Sequence, residues 1–411
     1  NPDEHRKLRV MKVKEGVNFK NQAARLLLGK PNEEFLRYLN KNKVILDCRS
    51  KVQTIESTFS MQIESIIEPT PIPVEYIPFL DYDRILDELE TYKNEKFYYN
   101  ISITKDGIKD ILETDGWYLL IIPKKHLELD SMEKLVLVTD LAIMVLKCYI
   151  DKFYKYEKAK WEERFLEYQE LNDSDGNFVA EYKLSYYDAY DGDPTAGTVE
   201  QFVEDLKALL NQHSGIPTYE KGMLSNSLIA FDFRHHLYTP LICLRAGGLK
   251  LTVSPVSLNE DEKRFVDKLK AYVDANAAIF EGKKLYLLRN KSKVGMGFFE
   301  AGNFYPDFVL WIDTPDVQYI SFIDPKGLRH LQWDDPKIEF HATIKELEAR
   351  LQPSSGDKKI VLNSFIMSCT RSEDLRQWWG KGKLERRAKN VFCLDEDDCI
   401  DGMIAKILKL E

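Results

Sequence analysis

The 411-residue chain has no run that approaches the ~20 apolar residues of a membrane span. The closest, Leu135 to Leu146, is interrupted by Asp140 and reads as a buried helix. Cys-x-x-Cys is absent. The six cysteines, Cys48, Cys148, Cys243, Cys369, Cys393 and Cys399, are scattered and several sit in apolar stretches, the pattern of reduced core thiols in a cytoplasmic protein. No signal peptide is visible, and the opening Asn-Pro-Asp-Glu-His without Met reads as the start of a fragment. Net positive charge is lacking too: at -9 the chain is unsuited to coating nucleic acid by bulk electrostatics, although local basic residues escape that objection. Internal repeats and long low-complexity tracts are missing.

Three short patterns fail on spacing. Gly295-Met-Gly297 lacks the third glycine of a dinucleotide loop and precedes a strand pattern. Asp173-Ser-Asp-Gly-Asn has its glycine at loop position 4 and Leu184 at position 12, where a calcium loop needs Gly at 6 and Glu at 12. His235-His236 are neighbours on a strand pattern, so they face opposite sides and are read as packing or surface residues.

With 44% apolar and 30% charged residues the composition is that of a globular protein, long enough for about two or three domains. The Pro-rich Glu68-Pro-Thr-Pro-Ile-Pro marks a boundary. The expected division is 1–75, helical and linker, with helices at Asn21–Leu28 and Glu33–Leu39; 76–255, an α+β region with one helix from Ser131 to Leu171; and 256–411. In the middle region 179–187 reads as a strand, Asp191 to Gly197 as a loop, and Thr198-Val-Glu-Gln as the capping box of a helix. Strands are expected at Leu228–Phe233, Leu241–Leu244 and Leu249–Val253.

The last third is the most orderly, α/β (α+β over the whole chain). A helix at Asn259–Asp274 is followed by strands at Lys284–Leu288, Phe304–Ile312 and Val317–Asp324. Then come a helix from Pro336 to Leu351, a turn at Gln352 to Asp357, and a strand at Lys359–Met367. This αβββαβ order predicts a mixed sheet with helices packed on it.

Two of these strands carry the chemistry. Pro306-Asp307 leads one, and the other ends Ile-Asp324-Pro325-Lys326. Hard cations such as Mg²⁺ take oxygen ligands, commonly one or two carboxylates plus substrate phosphate and water. The strand period of two puts Asp324 and Lys326 on one face, so the acid can hold metal while the ammonium sits near an attacking water or developing phosphorane charge. In the preceding helix Phe265, Val266, Leu269, Tyr272 and Val273 form a stripe. At about 100° per residue Glu262 falls within about 20° of its centre and Glu260 about 180° away. A glutamate on a buried stripe must be paired or bind an ion. Residues 371–389 form a local basic segment, Arg371, Arg376, Lys381, Lys383, Arg386, Arg387 and Lys389 against three acids, and are the candidate DNA contact. Trp378 and Trp379 within it either stack on a base or anchor a solvated helix.

Leu-Tyr-Leu-Leu-Arg-Asn (285–290), Gly-Phe-Phe-Glu (297–300), Phe-Tyr-Pro-Asp-Phe (304–308) and Phe-Ile-Asp-Pro-Lys-Gly-Leu (322–328) together resemble the PD-(D/E)xK nuclease domain. More narrowly they resemble the C-terminal part of type III restriction enzyme restriction subunits and related DEAD/DEAH-box helicase-nucleases. The specific motifs cover about 150 residues, from Ser254 onward. The resemblance implies a restriction-endonuclease-like core, double-stranded DNA as substrate, and Mg²⁺ as cofactor with Mn²⁺ as a substitute. It implies Glu262, Asp307, Asp324 and Lys326 as the catalytic set, with the Pro325 carbonyl as a further metal ligand. Partners implied are an ATP-driven helicase motor and a modification (methyltransferase) subunit, in defence against foreign DNA. The chain departs from that plan in having neither Gly-x-x-x-x-Gly-Lys-Ser/Thr nor Asp-Glu-Ala-His, so ATP binding is not expected of it. The alternative expectation is a non-cleaving DNA-binding or subunit-assembly module.

Overall fold

The computed structural model describes residues 7–21, 25–41, 43–48, 68–172, 175–179, 181–186, 194–211, 218–223, 226–245, 251–254, 257–291, 296, 298, 304–329, 331–351 and 358–410. Asp173, Gly295, Gly297, the start of the loop expected at 191–197 and the turn expected at 352–357 lie outside them. Among the described residues no helix is long and apolar enough to cross a membrane.

The chain divides into two compact units, Glu15–Phe165, and Asn1–Lys14 with Leu166–Glu411. These bounds differ from those expected near 75 and 255. Thr70, in the Pro-rich segment, exchanges backbone hydrogen bonds with Leu120 in both directions, at 3.0 and 2.8 Å, so that segment is built into the first unit. The centre of this unit is helix Met132–Glu162, which buries Val138, Leu141, Ala142, Val145, Leu146, Tyr149 and Ile150 at helical spacing. It stops well short of Leu171, because Leu166–Glu170 is a strand paired antiparallel with Arg9–Val13 of the other unit's N-terminal segment. Helix Glu33–Lys41 forms as expected, whereas Leu26–Leu27, in the other helix expected there, is a strand paired with Ile101–Ser102.

In the larger unit, strands Lys183–Tyr186 and Leu251–Ser254 pair with each other, and Tyr219–Met223, Asn226–Phe231 and Leu241–Leu244 form a three-stranded sheet. Helix Pro194–Asn211 packs Val199, Phe202 and Leu206 into an apolar cluster with Leu228, Ala230, Ile242, Leu251 and Val253. It begins at Pro194, a residue suited to a first helical turn, so Thr198 lies within the helix and not at its start as expected.

The remainder is a mixed five-stranded sheet with helices on both faces. Its elements are α1 (Glu260–Ala275), β1 (Lys284–Arg289), β2 (Phe308–Asp313), β3 (Val317–Lys326), α2 (Pro336–Arg350), β4 (Lys359–Ser368), α3 (Ser372–Trp379), α4 (Lys383–Ala388), β5 (Val391–Cys393) and α5 (Cys399–Leu408). The strand order is β1-β2-β3-β4-β5, antiparallel across the first two junctions and parallel across the last two. The period of two sorts side chains cleanly. Phe308, Leu310 and Ile312 pack with Phe265, Leu269, Met403 and Ile407, from α1 and α5. Val309 and Trp311, with Ile320 and Phe322, pack with Phe340, Ile344 and Leu347 from α2. The expected αβββαβ order is present and mixed; α3, α4, β5 and α5 extend it.

Candidate active site

The ends of β1 and β3 and the start of β2 lie at one end of this sheet, because β2 runs opposite to both neighbours. There the chain places a contiguous row of charged groups. Glu262, in the first turn of α1, is buried at 5% exposure, while Glu260 is well exposed. Asn259 caps the helix by accepting from Glu262 N at 2.9 Å, and Glu262 Oε2 accepts from Asn259 N at 3.0 Å. Its other oxygen, Oε1, accepts from Arg289 Nη2 at 2.8 Å. Arg289, the last residue of β1, also donates from Nη1 to Asp307 Oδ1 at 2.9 Å and to Asp307 O at 2.7 Å. One guanidinium therefore fixes both a helical and a strand-edge carboxylate. Burial pushes Glu262 up to about 6, against the pull of Arg289.

Asp307 stands one residue before β2, not inside a strand as expected: its neighbourhood is an irregular segment in which Asn290 donates to the carbonyls of Met296 and Pro306, both at 2.8 Å. Its side chain is about one-quarter exposed and reaches Asp324 within hydrogen-bonding range. Asp324, at the end of β3, is 5% exposed, and its Oδ2 has no hydrogen-bond partner among the described residues. Burial, then the neighbouring Asp307, push its carboxyl up to about 8.

Lys326 lies on the same strand face as Asp324, and its attraction opposes the upward push on that acid. Lys326 O accepts from Cys369 N of the β4 side at 3.0 Å. Successive carbonyls of a strand point to opposite neighbours, so the Pro325 carbonyl faces the β2 side, beyond the last β2–β3 pair at Phe308–Ile323, where Asp307 stands. The sequence reading missed two side chains in this row. Arg289 was detectable as a charge ending an apolar strand. Lys337, in the first turn of α2, is near enough to feel the charges of Lys326 and Asp324; its only signal was the helix-start pattern Asp335-Pro336 ahead of it.

The histidines are structural. His236 is buried; its Nε2 accepts from Arg289 N at 2.9 Å, which leaves the proton on Nδ1, 2.8 Å from Tyr238 O. Desolvation lowers it to about 4 and keeps it neutral. His235 Nδ1 lies 3.0 Å from Leu285 O.

The basic segment is largely neutralised by acids from outside it. Arg386 is buried and donates to Glu396 at 2.9 Å, and Arg387 donates to Glu396 at 3.0 Å and to Asp398 at 2.6 Å. Lys383 pairs with Asp398, Lys381 with Glu385, and Lys389 with Glu339. Four of these tie α4 and its end to acids beyond the segment and Lys381 pairs within it, so as a group they are engaged with acids and not the open DNA-contacting cluster expected of them. Arg371 and Arg376 are exposed. Arg376, with Ser372, Glu373 and Gly380, lines an open hollow of about 530 Å³. The two tryptophans divide: Trp379 donates from Nε1 to Leu331 O at 3.0 Å and packs on Trp333, while Trp378 is 49% exposed.

The donors present suit a divalent cation on one count: a buried carboxylate with an oxygen lacking any protein partner, beside a second carboxylate. Among the described residues no three His, Cys, Asp or Glu side chains gather as one metal-binding group. Glu262 is drawn instead to Arg289 and Asn259, so it does not stand as the third ligand expected of it. No protein-family model, curated protein or solved structure matches this chain.

Proposed function

We propose that the last 150 or so residues form a restriction-endonuclease-like, Mg²⁺-dependent nuclease module that hydrolyses phosphodiester bonds of duplex DNA. The single observation that carries the reading is buried Asp324 with its unpartnered Oδ2, paired with Asp307 and flanked by lysine. In water-poor surroundings such a pair is costly unless a cation completes it. Asp307, Asp324 and the Pro325 carbonyl would hold Mg²⁺, which supplies charge neutralisation at phosphorus and a more acidic bound water. Lys326 orients the attacking water and opposes charge on the phosphate oxygens. Glu262 acts through Arg289, which pins Asp307 by two hydrogen bonds. The helix, three-strand, helix, strand order supports the same reading. A helicase motor and a modification subunit are partners in this proposal, as is a role in defence.

A second reading, a DNA-binding or assembly module without cleavage, is favoured by the guanidinium between Glu262 and Asp307, which engages two of the acids that cleavage would use. Plasmid nicking with Mg²⁺ or Mn²⁺ separates the two. The nuclease reading expects cleavage by the parent and a loss of at least about 10²-fold in Asp324→Ala and Lys326→Ala. Equal cutting by parent and variants, or none by the parent alongside tight metal-independent DNA binding, sinks it.

A further inference from the structure

Lys337 lies in the first turn of the 15-residue helix α2, its backbone N–H donating to Asp335 Oδ1 at 2.9 Å. Its ammonium sits 5.5 Å from the centre of the Phe304 ring. That ring is held in place: Phe298 and Phe304 exchange backbone hydrogen bonds at 2.7 and 2.9 Å, and both rings pack on Phe340. The position of Lys337 is therefore imposed by a helix cap and an aromatic shelf. There the ammonium is near enough to feel the charge of Lys326, which arrives from the end of β3, and that of Asp324.

Two half-buried ammonium groups near each other repel, and Lys337 also loses hydration. The carboxyls facing Lys337 are Asp324 and Asp335. Asp335 already accepts the Lys337 backbone N–H, and Asp324 is buried against Asp307. Among the described residues, protein groups thus leave a concentrated positive charge at the N-terminal end of a helix, whose dipole adds to it. Asp324, one of the acids that feels this charge, is buried and its Oδ2 has no partner among the described residues. A group with several anionic oxygens satisfies both: oxygens for the two ammoniums, and a shared cation for the acids.

We propose that Lys337 is a second cationic residue of this site, donating to a non-bridging oxygen of the scissile phosphate while Lys326 serves the attacking water. The inference rests on the nuclease reading above for the identity of the reacting phosphate, and it names a residue which that reading does not require.

The test uses the whole chain with Lys337→Met, Lys337→Arg and Lys326→Met. In EDTA, binding of a short labelled duplex is followed against salt. Lys337→Met should bind about tenfold more weakly near 0.1 M salt and lose about 0.9 from the slope of log affinity against log salt. Lys337→Arg should keep most of both. Without DNA, Lys337→Met should melt at the parental temperature or above it, because a like-charge pair is relieved; a merely structural lysine would lower it. With Mg²⁺, its cleavage rate should fall about 10²-fold and be partly restored in Lys337→Arg. Parental affinity, salt slope and cleavage in Lys337→Met overturn the proposal, as does a drop in melting temperature that Lys337→Arg shares. A parent that never cuts, with the salt slope still reduced in Lys337→Met, removes the nuclease reading but supports the phosphate contact. A cutting parent with an indifferent Lys337→Met does the reverse.

Discussion

Asp324 is where local physics is least comfortable. Its carboxyl is raised to about 8 from an ordinary value of 3.8, by burial and then by Asp307. Between those values the folded, metal-free protein holds a proton that the unfolded chain does not, so this group's contribution to stability falls as pH rises through that window. A divalent cation must displace the proton. We therefore expect Mg²⁺ affinity, measured by calorimetry, to climb up to about tenfold per pH unit below about 8 and to level off above it. Affinity that does not change between about pH 6 and about pH 8 would remove the Asp307–Asp324 pair as the metal holder. The basic residues behave differently from one another. Arg386→Ala removes one of two arginine partners of the half-buried Glu396, leaving Arg387, and should cost about 1–3 kcal/mol in urea unfolding. Arg376→Ala, at an exposed position, should leave stability within about 0.5 kcal/mol and weaken DNA binding instead. Sequence counting saw one positive cluster because the acids that neutralise it, Glu339, Glu396 and Asp398, lie outside the segment.

At the scale of elements, helix starts place the functional groups. The stripe Phe265, Val266, Leu269 and Val273 on α1 was readable from spacing, and with it the burial of Glu262. The capping box adds a reason that spacing does not supply: Glu262 is also the third helical residue, folded back on Asn259. On α2, Asp335 performs the equivalent task for Lys337. Asp335→Ala should cost about 1 kcal/mol of stability. It should also reproduce part of the Lys337→Met defect in DNA binding, since the first turn is what holds that lysine against Phe304. A variant that melts earlier yet binds DNA as the parent does would separate the cap from the site.

For the whole molecule, the C-terminal sheet is not self-sufficient in its own third of the sequence. The strand Arg9–Val13 belongs to the same unit, 300 residues away in sequence: Arg9 N donates to Gln318 Oε1 at 2.8 Å, and Trp311 Nε1 donates to Arg9 O at 2.9 Å. Leu8, Val10 and Met11 are buried with Trp311, Phe340 and Ile360. A chain that starts at residue 15 should lose at least about 3 kcal/mol from the unfolding of this unit, seen as a lower urea midpoint. An unchanged midpoint would show the strand to be an addition and not a part of the core. No pattern in the sequence announces this pairing, because a short edge strand carries no record of its partner and long-range contacts are set by competition among all exposed edges.

Alternation and helical angle, which are local, determined the order of the last six core elements, the inward face of α1 and the shared face of Asp324 and Lys326. Tertiary structure decided what those charges meet. It set Arg289 between Glu262 and Asp307, pressed Asp324 against Asp307, and carried Lys337 to Lys326. The reason is that a side chain's spacing follows from its own backbone, whereas the cost of its charge depends on which groups other segments bring into the same few ångströms of low dielectric.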